Sequence, residues 1–205
     1  GGEKTREKAK KGRRTGLGIT AAGDRLAALG LTYGTDEAID FAVEVEKTLA
    51  VEAYRSSVNM AKGRGAFPMY DHLKEIDNPM IARIREADPK LYGDMAQHGR
   101  RNIAMLTIAP TGSTSLMSQT TSGIEPVFRP AYQRRRKVNP SDQNVKVTFV
   151  DEVGDSWEEY TVFHHKFVTW LEVNGYDISK LENLTQEQLD ELVAKSPYYK
   201  ATAND

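Results

Sequence analysis

The chain has 205 residues, 39% hydrophobic and 28% charged, with a formal net charge of −1, which is a globular composition and excludes a wholly disordered or collagen-like chain. No run reaches the roughly 18 apolar residues of a membrane span, and the first thirty residues lack a signal-peptide core, so the cytoplasm is the expected compartment. The absence of cysteine removes disulfides, thiolate zinc sites and thiol nucleophiles from these 205 residues. Charge is unevenly placed: residues 1–14 carry seven Lys/Arg against two Glu, and residues 151–205 carry four Lys against twelve Asp/Glu. A basic arm with an acidic far end and a near-neutral total argues against a dedicated nucleic-acid binder.

In chain order, residues 1–14 read as a charged arm or truncated helix. Ala22, Leu26 and Leu29 fall at helical spacing before Gly30. Thr35 followed by Asp36 and Glu37 opens a long helix whose apolar face runs Ala38, Phe41, Ala42, Val45, Leu49 and Ala53, with Gly63 and Gly65 at its end. Asn78-Pro79 starts a short helix that closes before Asp88-Pro89, and a third helical piece ends near Gly99. The near-continuous apolar run from Asn102 to Ala109 predicts a strand buried on both faces, as in parallel sheets. A Ser/Thr/Gly turn follows, then Thr121-Ser-Gly-Ile-Glu-Pro126, an extended basic stretch from Val127 to Val138 and a strand at Val145 to Val150. Ser156 with Glu159 predicts a capping box for a helix with Trp157, Tyr160, His164, Phe167, Val168 and Leu171 on its apolar face. Thr185 with Gln188 repeats the device, with Leu184 and Leu189 as its staple.

Three patterns have bland explanations. Gly16, Gly18 and Gly23 lack the preceding strand of a dinucleotide fingerprint and read as close-packing positions. His164 and His165, placed in one helix, would point about 100° apart, so one packs and the other is solvated. Asp151, Glu152 and Asp155 read as solvated acids at a helix start.

The segment Ile108-Ala-Pro-Thr-Gly-Ser-Thr-Ser115 carries the chemistry. A strand that delivers a glycine and several hydroxyls into a turn can hold an anion, with inward backbone amides at Gly112 and hydroxyl donors from Thr111, Ser113, Thr114 and Ser115. The Gly-Lys pair of a Walker loop is missing, which argues against an NTPase.

Residues 110–115, followed by Ser122-Gly-Ile-Glu-Pro126, Tyr132 and Arg134-Arg-Arg136, resemble the substrate-phosphate region of the ribonucleotide reductase large subunit. Arg13-Arg-Thr-Gly-Leu-Gly18 and the stretch Asp24 to Gly30 resemble that family's segment after the active-site finger. The resemblance runs from about Arg13 to at least Gly175 and looks closest to the adenosylcobalamin-dependent, class II members. It implies an α/β fold, here a helix-rich portion (15–205) of a ten-stranded barrel with a few buried strands, and an activity converting ribonucleotides to deoxyribonucleotides for DNA synthesis by thiyl-radical chemistry. It further implies that Pro110, Thr111, Gly112, Ser113 and Thr114 bind the phosphates of a ribonucleoside di- or triphosphate, and that Glu125 and Pro126 shape the next turn. Adenosylcobalamin belongs, on this reading, to the parent enzyme.

The reducing and radical-bearing cysteines of such an enzyme are not in this chain, so the resemblance implies an internal fragment that is inactive alone and works with the remainder of a reductase. Strands severed from their barrel would expose edges, so self-association is expected. Two other readings stay open here. One is a class I reductase parent; the other is a stand-alone phosphate-binding module with Arg134, Arg135, Arg136 and Lys137 as an anion-binding rim. Against that rim stands a solvated strand edge kept from aggregating by charge.

Overall fold

A computed structural model describes residues 2–139, 141–142 and 144–202 and divides into two compact units. One takes in Gly1–Ile19 and Ile39–Ala109, the other Thr20–Ala38 and Pro110–Asp205. The fold is helix-rich with a small antiparallel sheet, consistent with part of an α/β barrel.

The first unit is helical. The charged opening segment forms α1 (Gly2–Gly12), which buries none of its residues, and α3 (Asp36–Arg64) supplies the long amphipathic element. A one-turn helix, α4 (His72–Glu75), follows; sequence periodicity is blind to so short an element. Asn78 accepts from the Met80 amide to start α5 (Pro79–Ala87), and Asp88 accepts from the Leu91 amide to start α6 (Pro89–His98), each with proline in its first turn. Their inward faces join Tyr54 and Val58 of α3 around Ile81, Ile84, Leu91, Met95 and Met105.

Two polar ties fix this core. Arg100, 3% exposed, pairs through both terminal nitrogens with Glu75, donates to the carbonyls of Asn102 and Ile103, and lies over the rings of Tyr54, Phe67 and Tyr70 at 5.4–5.7 Å. The fully buried Ser57 donates to Asn102 Oδ1 at 2.9 Å and accepts from the Asn102 amide at 3.0 Å, fastening α3 to the segment beyond α6. That segment departs from expectation. Residues 102–109 are extended but form one isolated parallel bridge, Leu17 to Leu106, and Ile108 is 70% exposed. Its apolar run matches a two-sided barrel strand, yet among the described residues it pairs through backbone hydrogen bonds only with Gly12, Thr15 and Leu17, and Ile108 stays open to solvent.

The second unit begins with α2 (Ala22–Leu29), closed by Gly30 at φ 69°. The predicted turn at 110–115 passes directly into a short helix, α7 (Gly112–Ser118). The sheet has the order β1–β3–β2, all antiparallel, from β1 (Ala131–Lys137), β2 (Phe149–Val150) and β3 (Ser156–Phe163).

β3 corrects the helix expected from Ser156: Trp157, Tyr160, Thr161, Val162 and Phe163 are strand formers, and pairing with β1 outweighs a local cap signal. Arg135 meets Glu159 and Arg136 meets Glu158 directly across the ladder. The helix itself, α8 (His165–Val173), has its N-cap at His164, eight residues later than the cap pattern implied. Thr185 and Gln188 form the anticipated capping box of α9 (Gln186–Ala194). α8 and α9 bury Phe167, Leu171, Leu189, Leu192 and Val193 with Ala27, Val127, Ala131 and Tyr198 in a second core.

Candidate functional site

The Ser/Thr/Gly segment is held by a lattice of hydroxyl and amide contacts within the second unit. Thr111, at φ 49°, turns the chain into α7, and its Oγ1 accepts from the Gly123 amide at 2.7 Å while sharing a proton with Thr20 Oγ1 at 3.0 Å. Thr20 Oγ1 also donates to the Thr121 carbonyl and accepts from the Gly123 amide. Ser115 Oγ reaches the Gly112 carbonyl at 2.8 Å and Ser122 Oγ at 2.7 Å. The hydroxyls of Thr111 and Ser115 therefore build the loop rather than face a ligand.

Pro110 has no N–H to offer. What remains for an anion is the set of amides on Gly112, Ser113 and Thr114, which have no intrahelical acceptor at the start of α7, and the exposed side chains of Ser113 and Thr114. A Cβ placed on Gly112 would touch nothing within 4 Å, so the space over this amide is open to a ligand. Gly112 has an ordinary negative φ, so its lack of a side chain answers to access and not to strain.

Beneath the loop lies a buried network that sequence reasoning missed. Asp24 Oδ1 accepts from His164 Nε2 at 2.6 Å and from the Tyr198 hydroxyl at 2.8 Å, and Oδ2 accepts from the Thr121 amide at 2.8 Å. The Asp24 amide in turn donates to Thr121 Oγ1. Burial raises the Asp24 carboxyl, but the bonds from His164, Thr121 and Tyr198 outweigh it and hold the pKa below the ordinary value. Burial and the bond to Asp24 push the Tyr198 hydroxyl well up, so it stays a donor.

The partners lie 97 to 174 positions from Asp24 in the chain, and no spacing rule reaches that far. His164 caps α8 instead of sitting inside it, and His165 is exposed, as expected of a packed and a solvated pair. Gly23 permits the close crossing above this network: a Cβ there would stand 2.7 Å from the Glu125 carbonyl oxygen.

A cleft of about 610 Å³ opens beside the 120–122 turn, walled in part by Ser122, Phe128, Arg129, Tyr132, Gln133 and His164. It is large enough for a nucleotide-sized ligand. The basic run is not its rim. Arg135, Arg136 and Lys137 pair with Glu159, Glu158 and Asp155, and Arg135 also covers the Phe149 ring at 4.9 Å. These residues line a charged edge strand, which is the solvated-edge reading.

The acids at 151–155 sit in the β2–β3 hairpin rather than at a helix start. Asp151 accepts from the indole of Trp157 and from the amides of Val153 and Asp155, which lowers its pKa. Among the described residues no group of three or more His, Asp or Glu is placed to hold a metal ion, and no helix is long and apolar enough to cross a membrane.

Residues 2–195 match the family described as ribonucleotide reductase, barrel domain. The vitamin B12-dependent ribonucleoside-diphosphate reductase of Mycobacterium tuberculosis (strain CDC 1551 / Oshkosh) is 34% identical over 128 residues, covering 62% of this chain and 16% of that protein. Its namesake from Thermoplasma acidophilum is 30% identical over 125 residues, covering 60% and 14%. The ribonucleoside-diphosphate reductase subunit alpha of Treponema pallidum is 27% identical over 128 residues, covering 61% and 15%. The chain spans no more than 16% of the length of these three relatives. With the match running across nearly the whole chain, the protein belongs to the ribonucleotide reductase barrel-domain family.

Proposed function

We propose that this chain is the phosphate-binding portion of a cytoplasmic reductase that converts ribonucleoside diphosphates to deoxyribonucleotides by radical chemistry, and that it acts together with the rest of that enzyme. The observation that carries the reading is the family match across residues 2–195. The relatives' names, ribonucleoside-diphosphate reductases, favour a diphosphate over a triphosphate. The amides of Gly112, Ser113 and Thr114, with the Ser113 and Thr114 hydroxyls, would bind and orient the diphosphate. Pro110 and Thr111 shape the approach, Thr111 by locking the loop to Gly123 and Thr20.

The chain supplies no thiol, so hydrogen abstraction and reduction depend on cysteines outside these residues. B12-dependent relatives support an adenosylcobalamin-requiring, class II parent, in which the cofactor supplies the initiating radical. Three clefts within the units measure about 470 to 610 Å³, the range of nucleotide-sized ligands. A corrin with its nucleotide tail exceeds each of them, so none of the three would hold the cobalamin.

Calorimetric titration of the 205-residue chain with a nucleoside diphosphate tests the binding role. Weak binding that disappears for the unphosphorylated nucleoside, and weakens at least about tenfold in Gly112→Ala, is expected, because a methyl over an approached amide displaces a phosphate. Equal affinity for nucleoside and diphosphate would overturn it.

A further inference from the structure

The first unit contains a cluster of cations that the reductase reading does not use. A cleft of about 470 Å³ is lined by Arg6, Lys10, Arg13, Arg14, Arg64 and Arg101, with no carboxylate among its lining residues. Among the described residues none of these six cations takes part in an ion pair.

Cations at helix ends are ordinarily explained by the helix dipole, and α1 and α3 do end here, at Gly12 and Arg64. Each C-terminus offers only about half a negative charge. Two such ends leave six positive side chains with an excess near +5. Arg101 answers part of the α3 terminus by donating to the carbonyls of Arg64 and Gly65 at 2.7 and 3.0 Å. Even so, desolvation and then the neighbouring Arg13 and Arg64 push its pKa down, a sign of crowding among like charges. Arg13 Nε is buried without a hydrogen-bond partner, which adds to the cost of holding this guanidinium among like charges.

Neighbouring geometry keeps the arginines in place. Asn102 Nδ2 donates to the Arg13 carbonyl at 2.8 Å, and Asn102 is itself locked to the buried Ser57. The backbone that presents Arg13 is thus fixed to the buried Ser57–Asn102 pair.

We infer that this cleft is a binding site for a compact polyanion, of the diphosphate or triphosphate class, held by the guanidinium forks of Arg13, Arg14 and Arg101. Arginine suits this ligand because its planar donors pair bidentately with phosphate oxygens. Of the residues lining the cleft, Ala9 and Met60 have wholly apolar side chains and six are cationic, a lining suited to phosphates. The source of the anion is either free inorganic polyphosphate or the phosphate tail of a nucleotide.

The test is fluorescence or calorimetric titration of the 205-residue chain with inorganic tripolyphosphate, with a nucleoside triphosphate and with a single-stranded oligonucleotide. Tripolyphosphate should bind, with affinity falling steeply as salt rises. The exposed pair Lys10→Gln and Arg14→Gln should weaken it at least about tenfold without altering the fold by circular dichroism, and the same loss should be seen in a Gly112→Ala background, where the 112–114 amides no longer contribute. Equal affinities for tripolyphosphate and nucleoside triphosphate identify the phosphates as the recognised part, and tighter nucleoside triphosphate binding assigns the nucleotide as the source. Absence of tripolyphosphate binding, insensitivity to the pair of substitutions, or oligonucleotide binding that tripolyphosphate does not displace would each overturn the inference.

Discussion

Replacing Asp24 by alanine removes the acceptor of three donors at once. The Thr121 amide and the Tyr198 hydroxyl belong to residues 7% and 5% exposed and lose their acceptor. Each stranded buried donor costs about 1–3 kcal/mol. The His164 side chain, 17% exposed, can turn toward solvent and adds less. The sum is about 3–5 kcal/mol, the scale for breaking a buried charge-assisted cluster, and a large share of the roughly 5–15 kcal/mol that holds a domain folded.

The same carboxylate sets an acid limit. Its folded pKa lies below the ordinary value, so its stabilisation is fully present above the unfolded pKa near 4. That contribution is lost as pH falls through the folded value, and Asp24→Asn removes this share of the pH dependence. Denaturant unfolding at pH 7 and pH 3, with midpoints compared at constant slope, reads both effects. A loss under about 1 kcal/mol at neutral pH, or an unchanged acid dependence in Asp24→Asn, would refute the network as the anchor of the loop.

Other substitutions separate packing from ligand access. Gly18→Ala places a Cβ 2.4 Å from the Thr107 carbonyl oxygen and should cost about 1–3 kcal/mol by overpacking, measured by urea unfolding, whereas Gly112→Ala should leave the midpoint nearly unmoved. Arg100→Met leaves Glu75 and two carbonyls without their donor and should destabilise by about 3–5 kcal/mol; a thermal midpoint within a degree or two of the original would contradict it. Ile108, Leu116, Met117 and Phe128 are each at least 70% exposed, so light scattering should show self-association that grows with concentration, and a strictly monomeric profile at high concentration would count against it.

What was legible in the sequence was local. Asn78-Pro79 and the Thr185–Gln188 box place helix starts, and Asp88-Pro89 the end of α5, because caps and prolines act within one turn. The close-packing reading of Gly16, Gly18 and Gly23 holds, since a Cβ at each would press on Thr107 or Glu125. Ser156–Phe163 failed because its cap-like start and 3.6-like spacing competed with a cross-strand ladder to Arg135 and Arg136, a partner some twenty residues away. The 102–109 run failed for the complementary reason: its composition suits a buried strand, but burial comes from neighbours that the described residues do not provide. The turn after Pro110 was legible as a turn, while the bracing of that turn by the Thr111 and Ser115 hydroxyls required knowing that Thr20, Ser122 and Gly123 stand beside them.

The most direct test of the central claim is an amide NMR titration of this chain with a nucleoside diphosphate. The account predicts that the resonances of Gly112, Ser113 and Thr114 shift first and saturate together, with smaller changes at Gly123 and Thr121 through the Thr111 and Asp24 ties. Shifts confined to other segments, with the 112–114 amides unmoved at saturation, would contradict it.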